Sequence, residues 1–206
     1  MSDPRELAFI LNEMKILSVI VHPDCIKLFA VYEDESWLYL VTNVFTGAEL
    51  LLPVLIKDGL ALPELLRHSY QLLRILEYLE TKKIIHHDIK PQNLIFRDSS
   101  ESADICLIDF GLAVQLKDGQ SCVELNGTKG FIAPEVSSGL GHDYKADIFS
   151  AGVVIYFMFT AEIPDILQLG IDNHELDFND RARLIEERIL LKTYSKFSKE
   201  SNFHLT

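Results

Sequence analysis

The chain has 206 residues, 48% of them hydrophobic and 24% charged, which is enough apolar material for one globular domain, or one domain plus a tail, and rules out wholesale disorder. Nineteen Lys and Arg stand against 31 Asp and Glu, a formal net charge of −12. With no local basic patch, that excess argues against nucleic acid and anionic membrane surfaces as partners. The three cysteines, Cys25, Cys106 and Cys122, show no CxxC or CxxH spacing. Such a set makes neither a disulfide framework nor a zinc site, and it points to a reducing, cytoplasmic compartment, the nucleus included. Residues 1–10 lack the apolar core of a secretory signal. The longest apolar run, Ala151 to Phe159, falls well short of the ~20 residues that span a bilayer and reads as a buried helix.

In chain order, the first predicted element is a helix. Asp3 can cap it, Pro4 suits the first helical position, and Glu6 completes a capping-box-like arrangement. Leu7, Ile10, Leu11, Met14 and Leu17 then recur at helical spacing. Two strand-like runs follow, Ile26–Val31 and Trp37–Val41, separated by the acidic turn Glu33-Asp34-Glu35. A helix is expected from about Pro63 to Thr81, with Leu65, Leu66, Leu72, Leu73, Leu76 and Leu79 on its apolar side. Short strands are expected at Asn93–Phe96 and Ile105–Ile108, and a very apolar helix at Ala146–Thr160. Asn179 to about Phe197 reads as an amphipathic helix, followed by a polar, frayed end. No internal repeat interrupts this order.

The chemistry-bearing residues cluster at His86-His87-Asp88-Ile89-Lys90-Pro91-Gln92-Asn93, followed by Asp109-Phe110-Gly111, Gly127-Thr128 and Ala133-Pro134-Glu135. Phosphoryl transfer needs placed charges and metal ions more than covalent chemistry. Asp88 is the candidate to accept or orient an attacking hydroxyl. Lys90, two residues on, is the candidate to neutralise a moving phosphoryl group. Asn93 and Asp109 offer the oxygen ligands that Mg²⁺ prefers. Alone, an HxD or a DFG is weak, and an Asp-Phe-Gly is more often a turn. The ordered set, closed by Asp147 in Asp147-Ile148-Phe149-Ser150-Ala151-Gly152, is not a coincidence.

On these residues the chain resembles the eukaryotic protein kinases, from roughly Leu7 to Pro164. The resemblance implies an α+β, protein-kinase-like fold: a partial N-lobe over residues 1–41, a hinge and mostly helical C-lobe over 42–164, and a divergent segment at 165–206. It also implies ATP and Mg²⁺ as cofactors and a protein as substrate. Glu13 is similar to the helix-C glutamate that pairs with an ATP-positioning lysine. Thr42 matches the gatekeeper, Asn43 and Val44 the hinge against adenine, Glu49 a ribose contact and Ile95 the adenine floor. Leu17, Leu28, His86 and Phe110 match the stacked side chains that mark the active state, although ordinary core packing explains such residues equally well. Asp147 resembles the buried aspartate that anchors the catalytic loop. Lys90-Pro91 with Gly127-Thr128 is the Ser/Thr form of the pattern, and Ser121 and Thr128 are candidate regulatory acceptors.

Departures from the family carry their own expectations. No GxGxxG occurs in the chain and no strand lysine precedes Glu13, so Glu13 is expected to lack its partner. Losing even one preorganised donor of this kind costs ~10²–10³ in rate, so this chain alone is expected to transfer phosphate poorly. The helix-C stripe expects a sheet to cover it; each large apolar side chain left uncovered forfeits ~1.5–3 kcal/mol. A longer protein or a partner is the expected cover. His87 replaces the arginine that in the family meets an activation-loop phosphate, and would be only fractionally charged near neutrality. Glu135 normally pairs with an arginine late in the domain; after Pro164 that context dissolves, and the C-lobe reads as truncated. Two other functions stay open: a pseudokinase-like binding or scaffold module, favoured by the missing loop and lysine, and a small-molecule phosphotransferase, disfavoured by Lys90-Pro91 and the Gly127–Glu135 segment.

Overall fold

The structure, a computed structural model, describes residues 4–139 and 141–164. Its first element, α1 (Pro4–Val19), is the helix that Pro4 and the apolar spacing anticipate. Only the C-terminal end of α1 is well covered. Ile16 and Leu17, with Ile20 just beyond, are buried, whereas Ile10 and Leu11 face solvent and Met14 is half-buried. The stripe read from the sequence is therefore packed at one end and open at the other. The proposed Asp3 cap and the helix at 179–197 lie outside the described residues.

β1 (Leu28–Glu33) and β2 (Leu38–Thr42) form a two-stranded antiparallel sheet with an irregularity between Leu28 and Ala30. The acidic turn between them is closed by its own aspartate. Asp34 Oδ1 accepts the N–H groups of Ser36 and Trp37, each at 2.8 Å, the self-capping expected of Asp in a turn. β1 begins two residues later than the sequence suggests because the preceding backbone is committed elsewhere. The Ile26 N–H donates to Leu107 O at 2.9 Å, and that of Lys27 to Asn43 Oδ1 at 2.7 Å. Phe29, Tyr32, Trp37, Tyr39 and Val41 leave an apolar surface open on this sheet among the described residues.

The larger core lies between α3 (Leu62–Thr81) and α5 (Lys145–Thr160), which pack on each other. α5 is apolar almost all round and buries Ala151, Val154 and Met158 completely. α3 is amphipathic and buries Leu65, His68, Leu72, Ile75, Leu76 and Leu79. Leu66 and Leu73, expected on that apolar side, instead face solvent at 60% and 44% exposure. Each follows a buried or half-buried position by one residue, which rotates it about 100° off the packed face. The short helix α2 (Leu51–Ile56) has no periodic signature, yet Leu50 and Val54 beside and within it are fully buried.

Small strand pairs frame the site. β3 (Ile84–Ile85) pairs with β6 (Val114–Gln115). A 3₁₀ turn, Pro91–Asn93, leads into β4 (Leu94–Phe96), antiparallel to β5 (Ile105–Leu107). The one-turn helix α4 (Pro134–Ser137) precedes α5. The mixture of helix and short antiparallel strands is the α+β class expected. Among the described residues, no helix is long and apolar enough to cross a membrane.

Candidate active site

The loop from β3 to β4 carries His86 to Asn93, and its backbone hangs on one buried side chain. Asp147, in the first turn of α5, accepts the His86 N–H at 2.6 Å and the His87 N–H at 2.9 Å. Burial pushes the Asp147 carboxyl up to about 7, against the pull of those two N–H donors. The bonds hold His87 in the left-handed region, at φ 66°, a conformation that costs a non-glycine residue ~1–3 kcal/mol. Gly127 sits close against this loop: at φ 126°, a Cβ there would lie 2.7 Å from His87 O. This is why glycine precedes Thr128.

Asp88, nearly inaccessible, is the hub of a four-residue cluster. Its Oδ2 pairs with Lys90 Nζ at 2.7 Å and accepts from Asn93 Nδ2 at 2.9 Å. Its Oδ1 accepts from Thr128 Oγ1 at 2.6 Å, and Thr128 Oγ1 in turn accepts from Lys90 Nζ at 2.9 Å. Burial alone would raise the Asp88 carboxyl, but Lys90, Thr128 and Asn93 hold it below the usual carboxylate range. The result is an ionised carboxylate at neutral pH, beside a cation and a hydroxyl of the activation segment.

Asn93 and Asp109 are brought together by the β4–β5 pairing, since Ile108 N–H donates to Asn93 O at 2.9 Å. Asn93 makes its bonds to Asp88 through Nδ2, which leaves Oδ1 as an oxygen ligand. Asp109 is exposed, at φ 60°, with one carboxylate oxygen taken by the Gly111 N–H at 3.2 Å. An amide oxygen and a free carboxylate oxygen are a donor set that fits Mg²⁺. Glu13 faces the same region. Burial raises its carboxyl, Asp109 raises it further, and the Phe110 N–H pulls it down; among the described residues no lysine or arginine pairs with it. Asn12, not singled out in the sequence, ties α1 to this segment by donating to Ala113 O at 2.8 Å and Gly111 O at 3.3 Å. A cavity of about 440 Å³ opens beside it, between α1 and residues 111–115.

His86 and Phe110 are fully buried and meet edge-on, with ring centroids 4.7 Å apart. Leu17 belongs to the same core and Leu28 packs against it. Burial pushes the His86 imidazole down to about 4. His87 differs from expectation: it is buried, and burial lowers its imidazole further. Burial thus favours the neutral form of His87 over the charged one. The segment expected to form the hinge runs along β4, with Glu49 bridged to Ile95 and Leu50 N–H donating to Leu94 O at 2.7 Å. Thr42 and Asn43 are half-buried at its start, Val44 is 85% exposed, and Glu49 is also exposed. Glu135 is half-buried in α4, and the segment that would supply its arginine lies outside the described residues.

A buried hub carboxylate, a paired lysine, an oxygen-ligand pair and the Gly127–Thr128 segment anchored to them come together in the arrangement that the protein-kinase resemblance implies. A protein kinase domain model matches residues 2–203, and the chain belongs to the protein kinase family. It is 36% identical over 153 residues to calcium-dependent protein kinase 5 of Plasmodium berghei (strain Anka), covering 74% of this chain and 27% of that protein. It is 35% identical over 166 residues to calcium-dependent protein kinase 3 of Plasmodium yoelii yoelii, covering 80% and 30% respectively. Death-associated protein kinase 2 of Mus musculus is 35% identical over 154 residues, covering 74% of this chain and 42% of that protein. The chain thus spans between about a quarter and two-fifths of the length of these relatives.

Proposed function

We propose that the chain carries the catalytic loop and activation segment of a Ser/Thr protein kinase, which transfers the γ-phosphoryl group of ATP to a protein hydroxyl in a reducing, cytoplasmic setting. The observation that carries this reading is the Asp88–Lys90–Thr128 triangle, with every edge at hydrogen-bond distance. Asp88 orients the acceptor hydroxyl and takes up its proton; an ionised, low-lying carboxylate does this only as the proton is being lost. Lys90 sits where charge moves onto the transferred group. Thr128 holds both and joins them to the segment that would present a protein substrate. Asn93 and Asp109 would hold Mg²⁺, which when bound neutralises charge on the phosphates. Thr42, Asn43, Val44, Glu49 and Ile95 would line the adenine and ribose.

A binding or scaffold role is the second reading, and Glu13 favours it. Its carboxyl has no cationic partner among the described residues, and burial and Asp109 both raise it. The two readings separate on phosphoamino acids. The natural full-length protein, incubated with γ-labelled ATP, Mg²⁺ and a protein mixture, is expected to yield phosphoserine and phosphothreonine. Label only on small molecules, or on tyrosine, would overturn the Ser/Thr assignment; no label at all would favour the scaffold.

A further inference from the structure

Three side chains of metal-ligand type meet outside the catalytic cluster. His87, Cys122 and His142 each offer one ligand atom, and these atoms all lie within 4.8 Å of one another. All three residues are buried, at 6%, 4% and 5% exposure. No cysteine has a local partner at the spacing of a zinc site; the fold supplies partners from two distant stretches instead. We propose that His87, Cys122 and His142 bind a zinc ion that clips the activation segment to the catalytic loop.

The backbone, not chance side-chain packing, brings these residues together. Cys122 and His142 form an isolated antiparallel bridge in which each N–H donates to the other's carbonyl at 2.9 Å. The His87 backbone is fixed by its bond to Asp147. Its Nδ1 lies 3.1 Å from Leu112 O. A carbonyl only accepts, so Nδ1 carries the proton and Nε2 presents a lone pair. An imidazole whose far nitrogen is held by a backbone carbonyl is the orientation that metal-binding histidines adopt. That Nε2 faces His142 Nε2 at 2.8 Å.

Two neutral imidazoles can share one N–H···N hydrogen bond through these atoms; a zinc ion seated between them would instead take the lone pair of each Nε2. His142 Nδ1 has no hydrogen-bond partner among the described residues, so no protein group holds His142 in the tautomer that would withhold its Nε2 lone pair. Zinc bound tetrahedrally at about 2.0–2.1 Å from nitrogen and about 2.3 Å from sulfur sets its donors roughly 3.3–3.7 Å apart. Reaching that geometry asks the two rings to part slightly and the sulfur to close in. Two imidazoles and a thiolate suit zinc rather than Mg²⁺ or Ca²⁺, which take oxygen. Burial raises the Cys122 thiol, while the Glu124 and Val123 N–H groups act on the sulfur in the opposite sense. On binding, the Cys122 S–H proton is released to solvent and the S–Zn bond forms. The dication, one thiolate and two neutral imidazoles leave a net charge of +1. Glu124, whose carboxylate acts electrostatically on both His87 and Cys122, faces that charge; it or water takes the fourth position. The clip would link the loop that carries Asp88 to the segment that leads into Thr128.

The test uses the natural protein carrying this chain, purified without added metal. Elemental analysis is expected to find zinc bound at this site. After chelation, Co²⁺ is expected to restore a tetrahedral visible spectrum with a thiolate-to-cobalt charge-transfer band in the near ultraviolet. Cys122→Ser should abolish the charge-transfer band, and His142→Gln should lose the tetrahedral visible bands or weaken Co²⁺ binding at least about tenfold. Wild-type protein with neither zinc nor the cobalt band would overturn the proposal and leave a plain N–H···N pair. A band retained in Cys122→Ser would overturn it too, by placing the metal elsewhere. Because the wild-type spectrum decides on its own, a variant that fails to fold does not protect the proposal.

Discussion

Replacing Asp147 by Ala removes the single side chain from which the catalytic loop hangs. Two buried N–H donors, of His86 and His87, lose their acceptor. Each such orphan costs about 1–3 kcal/mol, so about 2–6 kcal/mol in all. Part of that is returned, because Asp147 itself resists burial as a carboxylate, as its rise to about 7 reflects. The net loss should be about 3 kcal/mol, a large share of the ~5–15 kcal/mol that holds a domain together. For a chain of this size each kcal/mol lowers Tm by about 2–4 °C, so Asp147→Ala should melt about 6–12 °C below wild type by calorimetry. Asp147→Asn keeps one acceptor and sets an NH₂ against the other donor, so it should fall in between. A drop of less than about 2 °C for Asp147→Ala would refute the claim that this residue positions the loop.

His86 gives a pH test with a definite sign. Its folded value near 4 lies below the ordinary 6.5, so the unfolded chain binds the proton first and stability falls as pH drops from 6.5 to 4, by ~3 kcal/mol over the window. Asp147, with its folded value raised to about 7, works oppositely over much of the same range. The informative quantity is therefore the difference between wild type and His86→Phe in urea unfolding at pH 7 and pH 4.5, and wild type should lose the His86 share that the variant does not. Equal pH slopes would contradict a buried neutral imidazole. Mg²⁺-ATP should raise Tm in a thermal-shift assay, and Asp109→Asn should remove most of that rise; an undiminished rise would take Asp109 out of the metal site.

Much of this was legible in the sequence. The order of the Asp88 loop, Asp109-Phe110-Gly111 and Ala133-Pro134-Glu135 marks the family, and the periodicities of α1 and α3 with the unbroken apolar run of α5 place the main helices. What was missed has common physical causes. α2 is six residues long with Pro53 inside it, too short for a period to register. β3 and β6 are two residues each and depend on a pairing between distant stretches. Leu66 and Leu73 are leucines that nothing local distinguishes from their buried neighbours. Asn12 reaches Ala113 across 101 residues and His87 reaches His142 across 55, contacts that no spacing rule can see. The downward shift of the His87 imidazole likewise depends on burial, which only the folded loop supplies.

The central claim is that Asp88 faces the acceptor hydroxyl and not the nucleotide. It is tested most directly by Asp88→Asn in the natural full-length protein, read twice: phosphate transfer to a protein substrate, and Mg²⁺-ATP affinity by calorimetry. Transfer should fall by at least about 10²-fold, the contribution expected of a positioned general base, while the affinity for Mg²⁺-ATP stays nearly intact. Transfer retained in Asp88→Asn, or lost only in step with nucleotide binding, would contradict the account.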